Sequence, residues 1–156
     1  MPIFARLIFG LVNFAARNGL AETAPAESAA SKKLRARRTG VRGETFAYWY
    51  LRRHGYILIA RNFTVPGLKG ELDLVGYDGP VLAFVEVKTR AGDSKDFGTP
   101  EDAVTPHKRD VLVRMARQFM LERRVRDTPW RFDVLAIESR PGHRPLVRLH
   151  KDAFSS

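Results

Sequence analysis

The apolar positions of this chain repeat with two periods, one typical of helices and one typical of strands. Residues 44–54 have helical spacing and are followed by Gly55, a residue that commonly ends a helix. A capping threonine followed by proline at Thr105-Pro106 predicts a second helix to about residue 124, and Thr99-Pro100 has the same pattern. The apolar stripe of the second helix consists of Leu112, Met115, Ala116, Phe119 and Met120.

Five segments rich in β-branched and aromatic residues predict strands, each bounded by turn residues or by a helix. They span residues 56–63, 70–77, 81–89, 131–138 and 146–150. The resulting order is α-β-β-β-α-β-β. Three consecutive strands followed by a helix and two more strands predict an α/β fold with a mixed β-sheet flanked by helices.

The first 40 residues differ from the rest and are predicted to form an N-terminal extension, with the folded domain at 41–156. Residues 3–17 form an amphipathic helical pattern, residues 21–31 have the composition of a flexible linker, and residues 32–38 are a basic run. The helix is open to four interpretations: a membrane-surface anchor, a partner-binding helix, a signal peptide or a dispensable extension.

Composition narrows the class of protein. The chain has 156 residues, a formal net charge of +10 and no cysteine. The absence of cysteine excludes disulfides, thiolate metal sites and cysteine nucleophiles, and it suits a cytoplasmic location. No apolar run reaches about 18 residues, so a conventional membrane span is not expected. The positive charge favours nucleic acid as partner, with an anionic membrane surface second; a homodimer also remains open.

Candidate chemistry lies on two neighbouring predicted strands. Side chains alternate along a strand, so Glu71 and Asp73 share one face, as do Glu86 and Lys88. If Asp78-Gly79 forms the turn of a tight hairpin, Glu71 lies opposite Glu86, and Asp73 lies diagonal to Glu86 at about 7–8 Å between Cα atoms. Clustered carboxylates call for a cation, and oxygen ligands suit Mg²⁺. A lysine beside them completes a set suited to metal-assisted phosphodiester hydrolysis.

Glu44 is a further candidate, on the first predicted helix of the domain. At 100° per residue it lies on the same side as Ala47 and Leu51, facing inward. An unpaired carboxylate is costly there. A metal ion, its water or Lys88 would relieve that cost.

The ordered pattern Asp-x(12)-Glu-x-Lys, preceded by a helix glutamate, resembles the PD-(D/E)xK nuclease superfamily, including the archaeal-type Holliday junction resolvases. More closely, the chain resembles the YraN-like family of bacterial endonuclease-like proteins. The resemblance covers about residues 41–140. It rests on Gly43-Glu44, Ala47, Tyr50-Leu51, Gly55-Tyr56, Arg61-Asn62, Gly70-Glu71-Leu72-Asp73-Leu74-Val75, Phe84-Val85-Glu86-Val87-Lys88-Thr89-Arg90, Lys108 and Arg131-Phe132-Asp133-Val134. The superfamily's proline before the first aspartate is replaced here by Leu72.

The resemblance implies a restriction-endonuclease-like fold and a Mg²⁺- or Mn²⁺-dependent endonuclease that hydrolyses DNA, branched DNA included, in preference to RNA. Asp73 and Glu86 would be metal ligands, with the Val87 carbonyl as a third. Lys88 would be the catalytic lysine and Glu44 an accessory catalytic carboxylate. The alternative is a protein with a nuclease-like fold that binds nucleic acid without cutting it.

Five basic residues are candidates for contact with nucleic-acid phosphates. Lys108 falls on the apolar stripe of its helix, where it either reaches a phosphate or extends past the helix start. The others are Arg90, next to the strand motif, and Lys32, Lys33 and Arg35 in the basic run.

Overall fold

The fold is taken from a computed structural model, which describes residues 2–19, 29–91, 104–139 and 142–154. The predicted loop at 91–98, except Ala91, and the predicted helix start at Thr99-Pro100 lie outside these ranges. So do residues 21–28 of the predicted linker.

Three helices and five strands make up the described chain, in the predicted α-β-β-β-α-β-β order preceded by an N-terminal helix. The helices are α1 (Pro2–Gly19), α2 (Ala29–Arg53) and α3 (Pro106–Glu122). The strands are β1 (Ile57–Phe63), β2 (Leu72–Asp78), β3 (Val81–Ala91), β4 (Trp130–Ser139) and β5 (Leu146–Phe154). The α/β prediction is confirmed, and the architecture is consistent with a restriction-endonuclease-like fold.

The strands form one five-stranded mixed sheet in the order β1-β2-β3-β4-β5. Only β3 and β4 are parallel, and the segment that connects them contains α3. The other neighbouring pairs are antiparallel. A parallel pair requires a crossover connection, and within the described residues α3 belongs to the connection between β3 and β4.

Each face of the sheet is covered by a helix, because side chains of the central strands alternate between two apolar cores. One core joins the sheet to α3 and includes Leu82, Phe84, Phe132, Leu112 and Phe119. The other joins the sheet to α2 and includes Ala83, Val85, Leu135, Phe46 and Leu51. The central strands are therefore buried on both faces, so the polar groups they carry in the middle of the sheet are buried too.

The β2–β3 hairpin does not have the predicted register. Asp78 pairs with Val81, which makes Gly79-Pro80 the two-residue turn and moves every pair by two residues from the prediction. Gly79 has a φ of 59°, which suits glycine, and Pro80 has no N–H to donate to a ladder. The turn therefore takes both residues, and the predicted position of Glu71 opposite Glu86 is wrong.

The helix before the sheet is longer than its predicted 44–54 span. α2 begins at Ala29, so it includes the basic run 32–38, and the prediction of a flexible linker is wrong for residues 29–31. α1 packs against α2 through Phe9, whose ring centroid lies 5.3 Å from that of Phe46. Among the residues described, no helix is long and apolar enough to cross a membrane.

Candidate active site

The candidate site forms where β2 and β3 separate. Leu74 and Val85 are the last residue pair between these strands, and Asp73 is the next residue on β2. Its Oδ2 accepts a hydrogen bond of 2.7 Å from the Val87 backbone N–H. The side-chain oxygen therefore takes the place of the backbone carbonyl that would accept this bond if the pairing of β2 and β3 continued. This bond holds the Asp73 side chain against β3, next to Glu86.

Glu86 is the most deeply placed carboxylate of the site, only 4% exposed. One of its oxygens, Oε1, lies 2.9 Å from Lys88 Nζ and also accepts a hydrogen bond from Lys108 Nζ. The other, Oε2, is buried and has no hydrogen-bond partner among the residues that the structure describes. Buried carboxylate oxygens nearly always have a partner, so this atom indicates a position for a further positive group.

The charges of this site shift two pKa values. Burial, followed by the charge of Glu86, raises the pKa of Asp73 to about 7, although the Val87 N–H and Lys108 oppose the rise. For Lys108, burial alone would lower the pKa. The charge of Glu86 and the hydrogen bond to it outweigh that effect and raise the Lys108 pKa above its ordinary value. Asp73 and Glu86 therefore both require neighbouring positive charge, and Lys88 and Lys108 supply only part of it.

Lys108 reaches the site from α3 because the start of that helix is well defined. Thr105 caps it with a hydroxyl that accepts from the Lys108 backbone N–H at 3.3 Å, and Pro106 follows the cap. Lys108 is on the stripe that contains the buried Leu112 and Met115, so it faces the sheet. The sequence suggested Lys108 as a phosphate contact and did not predict its ion pair with Glu86. The position of Lys108 on the apolar stripe of its helix could have indicated that it faces the sheet.

Glu44 approaches the site from α2, on the other face of the sheet. Its Oε2 accepts a hydrogen bond of 2.8 Å from Asn62 Nδ2, and its charge contributes to the raised pKa of Asp73. Gly43 allows the close approach of α2 to β3, since a Cβ there would lie 2.0 Å from Thr89 Oγ1. Sequence reasoning did not assign a site role to Asn62; its φ of 50°, which asparagine tolerates better than most residues, cannot be read from a strand pattern.

The structure thus brings together Asp73, Glu86, Lys88 and Lys108, with Glu44 adjoining. Glu71 precedes β2 and is exposed, so the predicted group of three strand carboxylates is reduced to two. Arg90 lies further along β3, exposed and in register with Glu138 of β4. Lys32, Lys33 and Arg35 lie in the first turns of α2, and their side chains are outside the described part of the structure.

The donor set fits a hard divalent cation. Within the described ranges there is no cluster of three or more histidine, cysteine, aspartate and glutamate side chains around one point. Asp73 and Glu86 form a pair instead, and Mg²⁺ commonly uses one or two carboxylates together with water and substrate phosphate. The unpartnered Glu86 Oε2 and the raised Asp73 pKa are both features that a bound cation would remove.

A second buried carboxylate lies on the opposite face of the sheet. Asp133 of β4 accepts hydrogen bonds from Tyr56 Oη at 2.9 Å, from Arg131 Nε at 2.8 Å and from the Asp152 backbone N–H at 3.0 Å. Arg131 also binds Asp78 at 2.5 Å, and Lys151 binds the same Asp78 oxygen at 2.6 Å. Asp133 therefore forms an ion pair with Arg131. These groups, the Asp133 cluster, are a structural network rather than a second site.

Comparison with known proteins places this geometry in a family. The sequence model of the family UPF0102, described as an uncharacterised protein family, matches residues 43–137. The chain belongs to the UPF0102 family. UPF0102 is the nuclease-like YraN family, which confirms the resemblance inferred from the strand motif. The match contains the candidate site from Glu44 to Lys108 and excludes α1 and the basic start of α2.

Relatives in the family are similar over most of their length. A UPF0102 protein of Koribacter versatilis is 45% identical over 118 residues, covering 75% of this chain and 79% of the relative. One from Symbiobacterium thermophilum is 44% identical over 119 residues, covering 76% of this chain and 98% of the relative. One from Nocardia farcinica is 43% identical over 118 residues, covering 74% and 87%. None of these names states an activity.

Proposed function

We propose that this protein is a Mg²⁺- or Mn²⁺-dependent endonuclease that hydrolyses phosphodiester bonds in DNA. The observation that carries the proposal is the buried, unpartnered Oε2 of Glu86, next to Asp73 and within the reach of Lys88. Two buried carboxylates and a lysine at the point where two strands separate are the parts that metal-assisted hydrolysis needs. Membership of UPF0102 supports the nuclease-like architecture of the site.

Asp73 and Glu86 would hold the metal ion, with the Val87 carbonyl as an additional candidate ligand. When bound, the ion supplies positive charge for the scissile phosphate and lowers the pKa of water. Because Asp73 has a pKa raised to about 7, its proton has to leave before it can act as a ligand. Neutral to slightly alkaline pH therefore favours the metal-binding form of the site.

Lys88 is the chain's own catalytic group. Glu86 Oε1 holds its Nζ at 2.9 Å, and its side chain is one-third exposed, so the ammonium group is accessible to substrate. An ammonium in this position orients the attacking water or stabilises the charge that develops on phosphate. Either action operates mainly in the transition state, so Lys88 contributes to cleavage more than to binding.

The remaining site residues support the substrate and the carboxylates. Glu44, which accepts a hydrogen bond from Asn62, would position water beside Asp73. Lys108 neutralises Glu86 in the free protein and becomes available to a phosphate when another cation takes over that carboxylate. Arg90 and the basic residues Lys32, Lys33 and Arg35 are proposed to contact the DNA backbone.

The experiment is cleavage of linear, branched and single-stranded DNA, with matched RNA, in Mg²⁺ or Mn²⁺. Wild type is compared with Lys88→Ala and with Lys151→Ala, a control that removes an equal charge at the Asp133 cluster. We expect Lys88→Ala to bind DNA nearly as well as wild type and to cut it about 10²–10³ times more slowly. Equal cleavage rates for highly purified wild type and Lys88→Ala would overturn the catalytic assignment.

A second candidate is a nuclease-like protein that binds nucleic acid without cutting. The observation that favours it is that Lys88 and Lys108 both bind Glu86 Oε1, so the site has partial charge balance without metal. In that case Lys88→Ala and Lys108→Ala would weaken DNA binding to a similar extent. No substrate of the panel would then be cut in either metal.

A further inference from the structure

The outward face of α1 is an apolar feature that the candidate site does not use. Phe4, Leu7, Leu11 and Phe14 are 75%, 67%, 64% and 66% exposed. At 100° per residue they lie within an arc of about 80° on one side of the helix. Single exposed apolar residues are ordinary, but four large ones in one stripe are typical of an interaction surface.

The exposed stripe is not the side through which α1 packs against the domain, because the opposite side of the helix makes that contact. Phe9 is buried against Phe46 and Tyr50, with ring centroids 5.3 and 6.0 Å apart, and Arg53 lies over its ring. Phe9 lies about 180° from the centre of the exposed stripe. The helix is therefore fixed to the domain through one side while it presents phenylalanine and leucine on the opposite one.

The segments that form α1 and the start of α2 are rich in basic residues. α1 contains Arg6 and Arg17 and no acidic residue, and Arg6 is exposed. The first 14 residues of α2, the helix against which α1 packs, contain six basic residues and no acidic one: Lys32, Lys33, Arg35, Arg37, Arg38 and Arg42. Residues 1–42 together have eight basic and two acidic side chains.

We propose that α1 and the start of α2 form a docking surface for an anionic lipid bilayer, with the stripe Phe4, Leu7, Leu11 and Phe14 inserted at the level of the headgroups. A bilayer surface offers both an apolar layer and negative charge, which this surface requires together. Nucleic acid offers the charge but little apolar surface for the stripe. A second copy would bring a surface of the same positive sign, which opposes self-association. The family match starts at residue 43, so this surface belongs to the part of the chain outside it.

The test is co-sedimentation of the full chain with vesicles of phosphatidylcholine, with or without phosphatidylserine. The variant is Leu7→Ser/Leu11→Ser, which changes only exposed positions and leaves Phe9 in place. The control is Leu121→Ser on α3, where the leucine is 73% exposed and lies far from α1 in sequence. We expect binding to the anionic vesicles, weakened roughly 10- to 100-fold by the double substitution and unchanged by the control. Added salt should weaken the binding, since charge attraction contributes to it.

A fluorescent reporter locates the contact independently of affinity. Phe14→Trp should show an emission shift to shorter wavelength on addition of anionic vesicles, whereas Leu121→Trp should show none. Equal vesicle binding by wild type and Leu7→Ser/Leu11→Ser would overturn the proposal. So would the absence of vesicle binding together with a concentration-dependent dimer, or a complex with DNA, that the double substitution abolishes.

Discussion

Two groups of buried carboxylates lie on opposite faces of one sheet, and they differ in how completely their hydrogen bonds are made. Asp133 is fully buried, and both of its oxygens have partners from Tyr56, Arg131 and the backbone. Glu86 is buried almost as deeply, yet one of its oxygens has no partner within the described part of the chain. The comparison separates two uses of a buried charge. A satisfied charge holds elements together, whereas an unsatisfied charge at a place where strands separate indicates a site for a ligand.

The largest effect on the free energy of unfolding is expected from replacing Asp133, whose two oxygens both have hydrogen-bond partners. Asp133→Ala leaves Tyr56 and Arg131 without their buried acceptor, so we expect the free energy of unfolding to fall by about 3–5 kcal/mol. Urea denaturation measures this loss. The control Lys151→Ala, which removes an ion pair from a half-exposed lysine, should cost about 1 kcal/mol or less. If Asp133→Ala lowered the free energy of unfolding no more than Lys151→Ala does, the structural role of the Asp133 cluster would be contradicted.

Removing the charge of Asp73 at the candidate site should raise the free energy of unfolding, whereas removing Asp133 lowers it. Asp73 has a pKa of about 7 in the folded protein against an ordinary 3.8, so its contribution to stability is complete below pH 3.8 and is lost as pH rises through 7. In metal-free buffer at pH 8, Asp73→Asn should therefore stabilise the protein, on the order of 1–3 kcal/mol, and flatten its stability between pH 4 and 8. Asparagine still offers an oxygen to the Val87 N–H.

The control for that measurement is Asp110→Asn, an exposed carboxylate on α3, which should leave the pH profile close to that of wild type. Urea denaturation at pH 5 and at pH 8, in the presence of a chelator, gives the two values needed for each protein. A destabilised Asp73→Asn at pH 8 would mean that the aspartate is satisfied in the folded state and that the contrast with Asp133 is false.

A divalent cation should sharpen the comparison further. Mg²⁺ or Mn²⁺ at about ten times its dissociation constant should stabilise wild type by about 1.4 kcal/mol, because a ligand that binds only the folded state shifts the equilibrium. Thermal unfolding across a metal titration measures the shift. Asp73→Asn and Glu86→Gln should lose the response, and Asp110→Asn should keep it. An unchanged melting temperature at millimolar metal, with no heat in a calorimetric titration, would exclude a preformed metal site.

The smallest effect concerns Asp78, at the edge of the satisfied group. The hydrogen bonds from Lys151 and Arg131 lower its pKa below 3.8, so its contribution is present above that value and is lost as pH falls through the lower folded pKa. Asp78→Asn should cost about 1 kcal/mol or less at pH 7, since Lys151 is half-exposed, and less at pH 2 than at pH 7. Urea denaturation at the two pH values checks this, and a larger cost at pH 2 than at pH 7 would reverse the assigned sign.

Much of the fold could be predicted from the chain because the signals are local. The strands at 81–89 and 131–138 and the helix that begins after Thr105 are present within a few residues of their predicted ends. Periodicity and capping depend on neighbours in sequence, so they can be read without the fold. The end of α2 at Arg53, just before Gly55 with its φ of 93°, follows the same reasoning.

The predictions failed where the outcome depends on contacts between distant segments. The hairpin register was wrong by two residues because the turn takes Pro80, so Asp73 rather than Glu71 comes to the level of Glu86. In α1, the amphipathic pattern indicated an apolar side correctly, but Phe4, Leu7, Leu11 and Phe14 on that side are exposed. The contact with Phe46 is made by Phe9 on the opposite side. Helical periodicity states that a face is apolar and cannot state what covers it.

The sequence by itself determined the order of the elements, the family and the residue types of the candidate site, because strand alternation and the spacing of Asp73, Glu86 and Lys88 are properties of the chain. Tertiary structure alone decided which charges are satisfied. Asp133 and Glu86 are both acidic residues in apolar strands, and each has a basic partner two positions away on its own strand. What distinguishes them is the packing of Tyr56 beside Asp133 and of Lys108 beside Glu86. A buried charge is stabilised by the groups that folding brings within hydrogen-bond distance, and those come from segments far apart in the chain.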